Sequence, residues 1–257
     1  MIEIKKITIN DNINIVEDNF VTGEIIITDD DVLANQFAAQ NKPYIVWLNE
    51  GNRNKSMPSG AYCVENLDDI DDTYLERVYR RFEGLPWNIM ETKRLKIREI
   101  TKEDVPRLYE LYADKEITYY MENLFPDIGQ ETEYTENYIK NVYEFYGYGI
   151  WLITLKDSGL VIGRAGLEYK ESFDGLELGF MLGKDYQNKG YAYEACSAII
   201  KYGLEELGVN NYCAVVHRDN TKSIKLCEKL GFVHSEGSEG DWLTYTKRQY
   251  YACKKPD

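Results

Sequence analysis

The chain has 257 residues, an apolar share of 44% and a formal net charge of −14; it exceeds an average domain of roughly 100–150 residues, so one large or two smaller domains are expected. The acidic balance excludes a general binder of phosphate backbones, which needs clustered Lys and Arg, so no nucleic-acid partner is expected. Five cysteines (Cys63, Cys196, Cys213, Cys227, Cys253) with no CxxC pair argue against a disulfide framework or a zinc site, and a reducing cytoplasm is the simplest location.

The N-terminal sequence MIEIKKITINDN lacks the apolar h-region of a signal peptide. Short apolar runs at Glu24–Thr28, Tyr44–Leu48 and Ala61–Val64 read as strands. Between the first two, Leu33, Phe37 and Ala38 fall at helical spacing within Val32–Gln40. Thr73–Phe82 is a second helix, with Leu75, Val78, Tyr79 and Phe82 on one face. Strand, helix, strand in this order predicts a small α/β unit with parallel pairing over residues 1–84. Residues 1–90 hold 16 acidic and 8 basic residues, more than half of the net negative charge.

Gly84-Leu85-Pro86-Trp87 breaks the periodicity, and residues 85–91 read as a hinge before a second domain over 92–257. Leu95–Glu99 alternates as a strand. Thr101, Asp104 and Pro106 mark a helix start, with Leu108, Leu111 and Tyr112 as its buried face. A helix from Glu131 to Phe145 follows, rich in tyrosine. Three strands, Gly149–Leu155, Leu160–Tyr169 and Leu176–Leu182, are separated by turn-like KDSG and SFDG, which predicts an antiparallel meander. The remaining elements are a helix over Tyr191–Leu207, a strand over Asn211–Val216, a helix over Asn220–Leu230 and a strand over Asp241–Tyr250. The class is therefore α+β (mixed α/β): antiparallel first, then a βαβ crossover. No run approaches a membrane span, so no membrane partner is expected and the protein reads as soluble and cytoplasmic.

The junction Leu176-Glu-Leu-Gly-Phe-Met-Leu-Gly-Lys-Asp-Tyr-Gln-Asn-Lys-Gly-Tyr-Ala192 ends a strand and opens a helix near Gly190. Amides at a helix N-terminus lack intrahelical partners and sit at the positive end of the dipole, where a diphosphate is favoured. Gly190 allows close approach there, although an ordinary strand-to-helix turn explains this stretch equally well. The pattern Gln187-x-x-Gly190-x-Ala192, preceded by Leu178–Leu182, resembles the acetyl-CoA-binding motif of GNAT acetyltransferases. The run from Asn220 to Phe232, the opening Arg94–Arg98 and the acidic Glu103-Asp104 are similar to that family's final helix, first strand and first helix. Within the family the likeness is greatest to the subfamily that acetylates the N-terminal serine or alanine of ribosomal proteins.

The resemblance implies the GNAT acyl-CoA N-acyltransferase fold, whose mostly antiparallel sheet contains a parallel splayed pair. It also implies acetyl-CoA as cosubstrate without a metal, and transfer of the acetyl group to a primary amine, either a protein N-terminus or a small cationic amine. Phe180, Met181 and Leu182 would pair with the pantetheine arm, and Gln187, Asn188, Lys189, Gly190, Tyr191 and Ala192 would surround the diphosphate. Asn220 and Ser223 would face the cofactor, while also suiting a helix N-cap. An ammonium with a pKa of about 10 must lose a proton before it attacks, and Glu177, on a strand whose residues alternate faces, is the first candidate base, with Glu168 second. Each carboxylate has a plainer reading as a solvated or salt-bridged strand residue.

Cys227 occupies the position where many family members carry a Tyr that protonates the leaving thiolate, and an inert buried thiol is its plainer role. His217 and His234 fall in loops with no third ligand, against metal binding. Tyrosines of residues 134–148 could line an amine site or simply pack. The N-terminal block, over Ile25–Tyr62, resembles the final third of a haloacid-dehalogenase-type phosphatase domain without its nucleophile strand, and reads as a docking or oligomerisation module that leaves a homodimer open. A non-catalytic acyl-CoA-binding sensor is the alternative function.

Overall fold

A computed structural model describes residues 2–6, 21–235 and 240–249; Tyr250 and Cys253 lie outside them. The chain divides into two compact units, residues 1–87 and 88–257.

In the first unit, β1 (Ile2–Lys6), β2 (Val21–Thr28), β3 (Tyr44–Trp47) and β4 (Tyr62–Val64) pair in that order, all parallel. Helix α1 (Asp31–Ala39) connects β2 to β3, and α2 (Asp72–Phe82) follows β4. Ile25, Ile27 and Ile45 pack with Leu75 and Val78 of α2, whereas Tyr44 and Val46 pack with Ala34 of α1. Both faces of the sheet are therefore covered, which is why its strands read as unbroken apolar runs. Asp30 and Asp71 cap the two helices by accepting from the amides of Leu33 and Tyr74. The strand at residues 2–6 is absent from the reading of the sequence.

The second unit begins with β5 (Asn88–Glu91), which pairs antiparallel with β6 (Leu95–Arg98), so residues 88–91 belong to the sheet and not to a hinge. Thr101 and Asp104 form a capping box, and α3 (Val105–Tyr112) follows with Val105, Leu108, Leu111 and Tyr112 buried. A short α4 (Lys115–Thr118) leads to α5 (Ile128–Tyr138). The single helix expected over Glu131–Phe145 is in fact α5, a π-helical turn over Ile139–Tyr143 and a last turn α6 (Glu144–Tyr146), which ends at Gly147 with φ +75°. The wider turn brings Tyr143 into the core, fully buried, with its hydroxyl donating to the Ile150 carbonyl.

Strands β7 (Ile150–Leu155), β8 (Val161–Tyr169) and β9 (Leu176–Leu182) form the expected meander. Helix α7 (Tyr191–Glu205) crosses to β10 (Asn211–His217), then come α8 (Thr221–Lys229), β11 (Val233–His234) and β12 (Trp242–Arg248). The sheet order is β11-β12-β10-β9-β8-β7-β6-β5, antiparallel throughout except for β9 beside β10. His217 and His234, expected in loops, end strands β10 and β11. The core joins Leu95, Ile97, Trp151, Ile153 and Leu167 of the sheet with Ile199 and Ile200 of α7 and Leu108 of α3. Among the described residues no helix is long and apolar enough to cross a membrane.

Candidate active site

The parallel pair is short. Leu176 lies beside Tyr212 and Glu177 beside Cys213, and there the pairing stops. Each strand continues along its other neighbour, β9 on β8 to Leu182 and β10 on β12 to His217. From Leu178 onward the edge of β9 that faces β10 is therefore unpaired, and the two strands open a notch in the middle of the sheet. A cleft of ≈ 1470 Å³ occupies it, lined by Leu178–Leu182 and by Ala214–His217.

At the mouth of the notch stands the N-terminus of α7. Asp or Asn side chains cap α1, α2, α4, α5 and α8, but no side chain caps α7. Its first intrahelical bond runs from the Glu194 amide to the Gly190 carbonyl, so the amides before it are open to an external acceptor. Asn188 and Gly190 both have positive φ, 59° and 80°. Such alternation is how short loops turn amides toward an anion. Gln187, Asn188, Gly190, Tyr191 and Ala192 line the cleft, as do Asn220 and Ser223 on the opposite side. Asn220 accepts from the Ser223 amide and is thus an N-cap at the rim. Lys189 does not line the cleft. Its carbonyl accepts from Arg94, and its ammonium lies 5.9 Å from the Tyr186 ring.

The loop is held by contacts that no local pattern announces. Gln187 donates to the Leu182 carbonyl and accepts from Lys222 on α8, which bridges the notch. Arg94, in the turn between β5 and β6, donates to the Lys189 carbonyl at 3.0 Å, pairs with Glu194 at 2.7 Å and lies 4.3 Å over the Tyr191 ring. The Thr92 hydroxyl and the Arg94 amide also donate to Glu194. These contacts hold the loop and the first turn of α7 in place by side chains from distant parts of the chain.

The other wall is made of side chains from β8, β9 and residues 112–138. Glu168 and Glu177 are directly opposite each other across β8 and β9, and both line the cleft. Two carboxylates so placed repel unless each finds a donor. Lys170 pairs with Glu177 at 2.7 Å, and the Tyr138 hydroxyl donates to Glu168 at 3.0 Å while accepting from the Ile150 amide at 2.8 Å. Burial, with the neighbouring Glu168 charge, pushes the Tyr138 phenol far above its usual pKa, so it stays neutral and keeps its proton for Glu168. Tyr134 and Tyr138 line the cleft, Tyr143 is core, and Phe145 and Tyr146 are exposed elsewhere. Tyr120, His217 and Trp242 form a further aromatic edge, with centroids 4.9 and 5.3 Å apart. Arg164, Glu131 and Tyr120 also line this wall, and no local motif or spacing marks them out.

Cys227 is fully buried and does not line the cleft. Burial pushes its thiol up to about 12, as for an inert core cysteine.

The splayed pair, the uncapped helix and the cleft through the sheet define a protein that holds an extended, anion-bearing cosubstrate beside an acceptor. The model of the acetyltransferase (GNAT) domain family matches residues 94–233. An uncharacterised N-acetyltransferase of Bacillus licheniformis, p20, is 33% identical over 144 residues, covering 55% of this chain and 80% of that protein. The crystal structure of an acetyltransferase from Agrobacterium tumefaciens superimposes with a TM-score of 0.53 at 25% identity, covering 62% of this chain and 94% of the other. A ribosomal-protein-S5-alanine acetyltransferase from Vibrio fischeri shares the fold alone, with a TM-score of 0.53 at 17% identity over 65% of this chain and 98% of its own. The chain belongs to the GNAT acetyltransferase family, and its second unit is an acetyl-CoA-dependent acetyltransferase.

Proposed function

We propose that the acceptor is a primary amine, on a small molecule or a protein N-terminus, and that the neutral amine attacks the thioester directly. One observation carries this reading: an uncapped helix N-terminus stands beside a strand edge left free where β9 and β10 part. An extended arm can add to a free strand edge as another strand would, which suits pantetheine along Phe180, Met181 and Leu182. The amides around Gln187, Asn188, Gly190, Tyr191 and Ala192 suit the diphosphate, with Lys189 contributing through its backbone. Asn220 and Ser223 border the same path from α8. Acetyl-CoA supplies the activated acyl group, and the free β9 amides suit the charge that develops on its carbonyl oxygen.

We rank Glu168 ahead of Glu177 as the base, the reverse of the order expected from sequence. The Lys170 ammonium neutralises Glu177 and competes for its lone pairs, whereas among the described residues Glu168 accepts only from a neutral phenol, and it stands nearer the tyrosine wall. Glu168 can then take a proton from the incoming ammonium, directly or through a water. Thiol release from acetyl-CoA, followed over a broad amine panel, tests the function. Turnover with at least one amine is the expected result, and coenzyme A binding with no turnover on any amine would favour a non-catalytic sensor.

A further inference from the structure

Arg164 lies on β8 between Leu152 of β7 and Met181 of β9, on the sheet face that carries Glu168 and Glu177. It lines the cleft, yet among the described residues it makes no ion pair. Its contact with the Tyr112 hydroxyl is long, at 3.5 Å, and its Nε is shielded from solvent with no acceptor. The groups around it are tyrosines. A guanidinium withdrawn from water without a carboxylate is costly, and a protein that keeps one usually has an anion to offer it.

The position of that cation relative to the acid pair is informative. Arg164, Gly166 and Glu168 alternate along one face of β8, which separates the α-carbons of Arg164 and Glu168 by ~13 Å. Between them Gly166 lies opposite Gly179, and the Gly149 backbone with the Ile150 side chain of β7 covers the two glycines, so an apolar floor joins the two ends. Tyr138 binds Glu168, and among the described residues Arg164 and Glu168 do not bind each other. Gly179 is two residues past the last β9–β10 pair, level with the opening of the notch. The face therefore offers a fixed negative end near the notch and a fixed positive end along the same strand.

Resting on the amine-acceptor reading above, we infer that the acceptor carries a carboxylate a few bonds from its reacting nitrogen, and that Arg164 binds it. The amine faces the Glu168 end while the carboxylate faces the guanidinium. This narrows the substrate class from amines in general to amino carboxylates, and disfavours a purely cationic acceptor such as a polyamine. Two sources share the chemistry: a free amino acid, and a polypeptide with an acidic residue at or next to its N-terminus.

Matched pairs separate the possibilities. Free amino acids are compared with their amides, and peptides beginning with Asp or Glu with the same peptides beginning with Asn or Gln, by thiol release from acetyl-CoA. The inference expects the carboxylate member of one series to be favoured by at least ~10-fold in kcat/KM, mainly through KM, since a charge-assisted bidentate contact is lost in the other. Arg164→Met should erase that preference and Arg164→Lys should retain part of it, because the lysine keeps charge but not the fork. Equal or better turnover of the uncharged members, or a preference that survives Arg164→Met, would overturn the inference while leaving amine acetylation intact. No turnover with any member while another amine of the broad panel is acetylated would overturn the inference and leave amine acetylation intact, whereas no turnover with any amine at all would sink both. Calorimetry gives a second measurement on the unaltered protein. With coenzyme A present, the N-acetylated amino acid or acidic peptide of the favoured pair should bind at least ~10-fold more tightly than its uncharged partner, and equal binding would count against the inference.

Discussion

The two walls of the cleft grip in different ways. Around β9, α7 and the loop before it, the surface offered to a ligand is largely backbone: a free strand edge and the uncapped amides beyond Gly190. Side chains there serve mostly to hold the backbone still, as Arg94 and Gln187 do. On the sheet face beside that backbone, from β8 to α5, the surface is side chain: Glu168, Tyr138, Tyr134 and Arg164. A partner shared across a family can be met by main chain, whose geometry tolerates sequence change. A partner that differs from member to member has to be met by side chains.

The sharpest test of that contrast is Glu168→Gln. Loss of the base should lower kcat by roughly 10²–10⁴-fold while coenzyme A affinity, measured by calorimetry, stays as it was. Glu177→Gln should cost far less, and an equal loss in both variants would merge the two roles that Lys170 and Tyr138 are argued to separate.

Next in size is Asp104→Asn, which attacks the support of the side-chain wall. Asp104 holds Arg98 through two bonds of 2.7 and 2.8 Å and caps the turn leading into α3, the helix that carries Tyr112. Burial disfavours the charged carboxylate, but the hydrogen bonds and charge of Arg98, together with Thr101, outweigh it and hold the group below its usual pKa. A depressed pKa stabilises the fold above the unfolded value near 3.9 and ceases to do so as pH falls through the folded value. The variant should therefore unfold about 2–3 kcal/mol more easily at pH 7. The gap to the parent should narrow below about pH 4 and close further under acid. A gap independent of pH in urea titrations would mean the ion pair contributes little.

Gly190→Ala probes the backbone wall. With φ at +80° an L-residue is strained by ~1–2 kcal/mol, while the added methyl meets nothing nearer than Arg94 at 3.4 Å. Relief of the strain would turn the amides away from an anion, so coenzyme A should bind about 10-fold more weakly. The relative preference among amines should not move. The smallest effect is expected for Cys227→Ala, which should leave kcat within about two-fold while lowering stability by ~1–2 kcal/mol through a small cavity. A large loss of kcat would return the thiol to the chemistry.

Much of this molecule was legible from residue order. The strand Leu176–Leu182 was read with the bounds it has, and α7 and α8 came within about two residues, because apolar period and glycine stops act within a few residues of themselves. The loop proposed here for the diphosphate could be singled out for the same reason, being one contiguous stretch. Harder to see were β5 and β11, short edge strands that pair only because a longer neighbour is already there. The π-helical turn at Ile139–Tyr143 was invisible too, since it answers to the packing of Tyr143 against the sheet and not to its own spacing.

Sequence by itself determined the family and the order of the longer elements, and it singled out the loop proposed as the cosubstrate's cradle, each being written in neighbouring residues. Tertiary structure alone decided which carboxylates face each other, that Lys170 neutralises one of them, and that Arg164 lies beside tyrosines with no carboxylate partner among the described residues. Register between strands and the cover on each face set those facts. A charged side chain on a strand carries no mark in the sequence that says whether its partner is another residue or a substrate.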